Sequence, residues 1–95
     1  MSPGKLLRIF LAGDSKVYEA IVEKCREMHI AGATVLRGDV GFGSGPEIQG
    51  RPVEVAIVDE AAKIAALVPV LEAMLPGGAY VVSDVQMLRV SAVIS

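Results

Sequence analysis

Residues 31–43, Ala-Gly-Ala-Thr-Val-Leu-Arg-Gly-Asp-Val-Gly-Phe-Gly, constrain the fold most, because they leave one helix-like segment, become strand-like and run into a glycine-rich loop. The β-branched pair Thr34 and Val35 favours a pleated backbone, and Gly32, Gly38, Gly41 and Gly43 mark places where the chain turns or approaches something closely. The stretch divides the sequence into two halves of similar length. Each half reads as strand, helix, strand.

In the first half, residues 5–11 alternate so that Leu7, Ile9 and Leu11 share one side while Leu6, Arg8 and Phe10 share the other. Apart from Arg8 this strand is apolar on both faces, so both faces need cover. Asp14 or Ser15 then supplies an N-cap for a helix over 16–29, in which Val17, Ile21, Cys25 and Met28 recur at helical spacing and Glu19, Glu23, Arg26 and Glu27 lie elsewhere on the wheel. In the second half, residues 52–58 read as a strand with Val53, Val55 and Ile57 on one side. A helix over 60–75 follows, with Asp59-Glu60 at the positive end of its dipole in a capping role. Its core stripe is Ile64, Leu67, Val68, Leu71 and Leu75. A second stripe of small residues, Ala62, Ala66, Pro69 and Ala73, lies on the opposite side, where another helix can approach closely. Pro69 removes one internal hydrogen bond and predicts a kink. Pro76-Gly77-Gly78 stops the helix, and 80–90 read as the last strand, with an irregularity at Ser83-Asp84.

This order predicts an α+β fold of the ferredoxin-like βαββαβ type: a four-stranded antiparallel sheet with two helices on one face. The 95 residues predict one domain over 1–95. A domain of this size buries only about 60 to 70% of the surface its unfolded chain exposes. Here 53% of residues are hydrophobic and mean hydropathy is +0.54, which is more apolar surface than so small a globule hides alone. Self-association is the expected remedy. Its longest apolar run is too short for a membrane span and contains Pro69, and no signal peptide is recognisable. The lone Cys25 cannot form an internal disulfide, which fits a cytoplasmic protein. The formal net charge of −2, without a basic run, argues against nucleic acid as a partner.

Residues 5–10, Lys-Leu-Leu-Arg-Ile-Phe, residues 18–24, Tyr-Glu-Ala-Ile-Val-Glu-Lys, and the run Ala31-Gly32-Ala33-Thr34-Val35-Leu36-Arg37-Gly38 resemble domain-of-unknown-function family 190, whose members look like the PII nitrogen-signal proteins. Gly41-Phe42-Gly43, residues 55–59 and Lys63-Ile64 continue the likeness. The resemblance implies a ferredoxin-like homotrimer whose open sheet faces pack around the threefold axis, burying residues such as Leu6 and Phe10. It also implies an adenine nucleotide in clefts between subunits and a loop after the second strand that reports the bound state to a partner. This sequence departs from that pattern in three places, one of them an abbreviated first turn before Val17. Between Gly43 and Pro52 the loop is only Ser-Gly-Pro-Glu-Ile-Gln-Gly-Arg, and Gly77-Gly78-Ala79 offers no lysine of the kind PII proteins place near phosphates.

Candidate ligand residues follow from chemistry that suits a small anion. Gly41 and Gly43 belong to a glycine-rich turn whose amides form an anion nest, although a plain hairpin connection accounts for the same residues. Arg37, beside Gly38, and Arg89 supply cationic contacts in an intersubunit cleft, against the simpler reading that these arginines and Arg8 pair with Asp39, Glu54 or Asp84. Cys25 and His29 are four apart but make no closed metal site, so no metal is expected. No serine has a base at a recognisable spacing, and an enzyme is not expected. Two function classes stay open: a trimeric regulatory module holding a small anion or adenine nucleotide, and a structural subunit that builds a larger assembly through the small-residue face of its second helix.

Overall fold

The computed structural model describes residues 2–11, 17–38, 40–41, 49–50, 53–75 and 79–88. The elements are β1 (Ser2–Leu11), α1 (Val17–Glu27), β2 (Gly32–Arg37), β3 (Val40–Gly41), β4 (Gln49–Gly50), β5 (Val53–Glu60), α2 (Ala61–Met74) and β6 (Ala79–Met87). β2, β5, β1 and β6 form, in that order, a four-stranded sheet in which every pairing is antiparallel. β3 and β4 make a separate two-residue ladder. This is the ferredoxin-like α+β arrangement, with the central places taken by β1 and β5.

Residues paired directly across strands share a face, so the register sorts the side chains. Leu7 pairs with Ile57 and Val82, and Ile9 with Val55 and Tyr80. These lie on the helix side, where Leu7, Ile9, Leu11, Val53, Val55 and Ile57 are buried with Ile21 and Cys25 of α1 and Ile64, Leu67 and Leu71 of α2. Each such side chain contributes roughly 1.5–3 kcal/mol by leaving water. Both amphipathic stripes read from the sequence therefore point inward, with Val17, Met28, Val68 and Leu75 packed at the margin.

Several expected boundaries shift. β1 begins at Ser2, because Ser2, Pro3 and Gly4 continue the ladder against Met87, Gln86 and Val85. β5 runs on to Glu60, where Gly4 meets it in register. No irregularity occurs at Ser83-Asp84: β6 keeps one unbroken register with β1, Ser83 facing Leu6 and Asp84 facing Lys5, and Lys5 forms an ion pair with Asp84. The cross-strand pair satisfies the residues that had suggested a bulge. The expected N-cap at Asp14 or Ser15, the Pro76-Gly77-Gly78 turn and the last strand residues 89–90 lie outside the described residues.

α1 ends earlier than 29, in a closed turn. The His29 N–H donates to Arg26 C=O at 3.1 Å and the Ile30 N–H to Cys25 C=O at 3.0 Å, the paired bonds of a Schellman motif. His29 holds the left-handed position at φ 56°, which a residue with a Cβ adopts at a cost. α2 continues through Pro69 to Met74, and Leu75 is extended because it precedes a proline. Replacing His29 with glycine removes the Cβ conflict while leaving both turn bonds in place. His29→Gly is expected to stabilise the fold by about 0.5–1 kcal/mol in urea denaturation; a loss of stability would show that the imidazole holds the turn.

Candidate functional site

Arg37 is the last residue of β2, on the helix side of an edge strand, and its register partner is the buried Val53. Its position beyond the core leaves the guanidinium exposed at the rim. The first turn of α1 brings Tyr18 to the same place. An Arg37 Nη donates to the Tyr18 hydroxyl, and the guanidinium carbon lies 5.1 Å from the tyrosine ring centroid. Arginine has five N–H donors, so this anchoring leaves most of them for another acceptor. Tyr18 is a contact that sequence reasoning missed, since it stands beside the core stripe of α1 without being part of it. Arg37 thus pairs with a phenol. The carboxylates proposed for it are used elsewhere or not described: Asp84 binds Lys5, Glu54 lies 3.9 Å from Arg8, and Asp39 lies outside the described residues.

Gly38 follows β2 in an exposed position, and Gly41 is paired with Gln49 in the β3–β4 ladder. Val40 pairs with Gly50 in the same ladder. Gly43 and Arg89 lie outside the described residues. Of the expected ligand residues, only Arg37 has a described side-chain partner, Tyr18.

A groove of about 350 Å³ opens between α1 and β2 at the other end of that strand, lined by Val22, Cys25, Ile30 and Gly32 among others. None of the expected ligand residues lines it. Cys25 is buried there with its thiol free, and burial pushes its pKa up from the usual thiol range. Among the described residues no group of three or more His, Cys, Asp or Glu is placed to hold a metal ion.

Asp59 has a different task from the capping expected of it. It is 1% exposed, and its Oδ2 accepts the Ala31 N–H at 2.9 Å while Oδ1 accepts the Glu60 N–H at 2.7 Å. Glu60, the residue at the N-cap, makes no side-chain cap bond. Lys63 donates to the His29 carbonyl at 2.8 Å and lies 3.9 Å from Asp59 Oδ2. Strand period carries the signal for this: Val53, Val55 and Ile57 face the core, and two residues on so does Asp59.

The other face of the sheet is unlike the first. Leu6, Arg8 and Phe10 lie there with Leu36, Ala56, Val58 and Val81, as the pairing dictates. Phe10 is 38%, Leu36 49% and Val81 44% exposed, and Leu6 is half-buried. On α2, Ala62, Ala66, Pro69 and Ala73 are all exposed. No helix among the described residues is long and apolar enough to cross a membrane.

Comparison with known proteins agrees with this fold. The model of the DUF190 family, described as Uncharacterized ACR, matches residues 4–87. A UPF0166 protein from Aquifex aeolicus (strain VF5) is 36% identical over 74 residues, covering 63% of this chain and 70% of that protein. CPII from Thiomonas intermedia K12, solved bound to ADP and bicarbonate, has a TM-score of 0.70 at 23% identity, covering 92% of this chain and 90% of that one. The periplasmic divalent cation tolerance protein CutA from Archaeoglobus fulgidus has a TM-score of 0.63 at 13% identity, covering 94% and 88%. At such identities the two structures share the fold with this chain, and function has to be argued from residues.

Tyr80, on β6, packs against the core, and its hydroxyl is buried without a hydrogen-bond partner among the described residues. Burial first, and the Glu72 carboxylate second, raise its pKa above the usual 10.0. The folded state therefore holds this proton more tightly than the unfolded chain. Its contribution is complete below pH 10 and is lost as pH rises from there through the folded value. Tyr80→Phe is expected to gain up to about 1 kcal/mol at pH 7 and to flatten the fall of stability above pH 10, both read by urea denaturation. A destabilised variant with an unchanged alkaline slope would show that the hydroxyl is satisfied.

Proposed function

The chain belongs to the DUF190 family, and from that premise we propose a PII-like regulatory module: a homotrimer that holds a small anion, an adenine nucleotide foremost, between neighbouring subunits. The observation that carries this reading is the one-sided sheet, whose outer face leaves Phe10, Leu36 and Val81 substantially exposed. Copies of the chain meeting through that face would bury them together with Leu6. Such packing supplies the apolar burial that 95 residues lack alone.

The anion would meet the Arg37 guanidinium, which Tyr18 orients at the rim, and the backbone of Gly38. Gly41 and Gly43 would shape the loop beside it, and Arg89 would add a second cation from the C-terminal segment. That CPII, of similar fold, is bound to ADP and bicarbonate supports the ligand class. We assign the chain no reaction: it binds and reports, and a reduced, buried Cys25 suits work in the cytoplasm. Membrane and nucleic acid have no part in this reading. A second reading, a building block that docks through α2, draws on the exposure of Ala62, Ala66, Pro69 and Ala73.

Calorimetric titration tests the ligand. ATP, ADP or AMP is expected to give saturable heat, with affinity at least about tenfold weaker in Arg37→Ala, the scale of one lost hydrogen bond to a charged group. No heat from any of the three at high micromolar concentration would contradict nucleotide binding and favour the building-block reading.

A further inference from the structure

The outer sheet face holds one feature that burial of apolar side chains does not explain. Between Leu6 and Phe10, and among the described residues paired with that stretch, the face carries Leu6, Phe10, Leu36, Ala56, Val58 and Val81, with Thr34 and Ser83 as small polar residues. Only two of its side chains are charged, Arg8 and Glu54, and they have opposite signs. Glu54 stands between Phe10 and Leu36 in register, so two large apolar side chains flank the carboxylate. Arg8 lies on the diagonal, with its Nε 3.9 Å from Glu54 Oε1.

That distance is an ion pair without a hydrogen bond. Arg8 is 49% and Glu54 23% exposed at the side chain. A half-exposed pair of this kind contributes little to the chain that contains it. Both partners also keep their hydrogen-bonding capacity, since this contact uses none of the five guanidinium N–H groups and neither carboxylate oxygen. Burying this face against anything apolar would desolvate both charges and leave only their 3.9 Å contact to offset that cost, which is unfavourable. Burying it against a rotated copy of itself offers each guanidinium the carboxylate of the next copy. The stretch from Leu6 to Phe10, with its strand partners, is thus neutral in sum and complementary to itself.

We infer that Arg8 and Glu54 pair between copies of this chain and set the register at which their outer sheet faces meet. This rests on the reading that those faces associate. Given that, the pair is a register key: a sliding or turned arrangement leaves a desolvated charge facing Phe10 or Leu36 and is rejected. The apolar residues supply the attraction, and the two charges select one geometry.

Charge reversal tests it. Arg8→Glu leaves two acidic groups on the face and Glu54→Arg leaves two basic ones. Sedimentation equilibrium is expected to show each variant dissociating at protein concentrations at least tenfold higher than the unaltered chain. A mixture of the two is expected to recover association in part, because two of the three interfaces of a mixed trimer then bring opposite signs together. Circular dichroism checks that each variant is folded; should a reversal unfold, Arg8→Gln and Glu54→Gln take its place, with smaller losses in the same direction. If the unaltered chain associates and the single variants associate equally well, the register key is overturned while the covered face stands. Weakened single variants whose mixture does not recover overturn pairing between copies. An unaltered chain that is itself monomeric overturns the covered face.

Discussion

Both helices lie on one side of the sheet, and the rest of the structure depends on that asymmetry. β1 and β5 take the central places, so Leu7, Ile9, Leu11, Val53, Val55 and Ile57 form a floor onto which Ile21, Cys25, Ile64, Leu67 and Leu71 pack. The alternation that fills this side puts Leu6, Phe10, Leu36 and Val81 on the other. An antiparallel sheet facing water usually turns polar residues outward. This one keeps its outer face largely apolar, and the same strand period that builds the core supplies the surface that the proposed association would bury.

The two halves of the chain are tied at one end by a buried carboxylate. Asp59, at the end of β5, accepts the N–H of Ala31, which follows the turn closing α1, while Lys63 from α2 reaches the His29 carbonyl of that same turn. A buried carboxylate needs such donors, because an unpartnered charge in the interior is strongly penalised. The clasp fixes where β2 starts, and at the end of its six residues β2 delivers Arg37 to the rim beside Tyr18. The position of the candidate anion site thus depends on contacts at the far end of its strand.

Much of this fold was legible from side-chain period alone. Residues 5–11 and 53–58 alternate, α1 and α2 carry apolar stripes, and the Ala31–Gly38 run resembled the family that the match over 4–87 shows. What escaped was pairing between residues remote in sequence. Ser83-Asp84 looked like a break because two polar residues interrupt an apolar strand, yet Lys5 lies opposite Asp84 and completes it. Asp59 looked like a helix cap because it precedes α2, although its place in the strand alternation pointed it into the core. Tyr18 and Arg37 meet only because α1 packs beside β2, a juxtaposition that local propensity does not encode. The closed turn at His29 escaped for another reason: a histidine occupies the position where glycine would have announced it.

In the proposed reading the bare outer face ties these observations to function, since a trimer would create the clefts in which an anion would sit and would give Arg8 and Glu54 partners in the next copy. Its most direct test is the mass of the unaltered chain in solution, measured by light scattering at several concentrations. Association through the outer face predicts a particle of three chains, each 9.9 kDa. A folded, soluble species of 9.9 kDa at every concentration would mean that water covers Phe10, Leu36 and Val81, and would contradict the account.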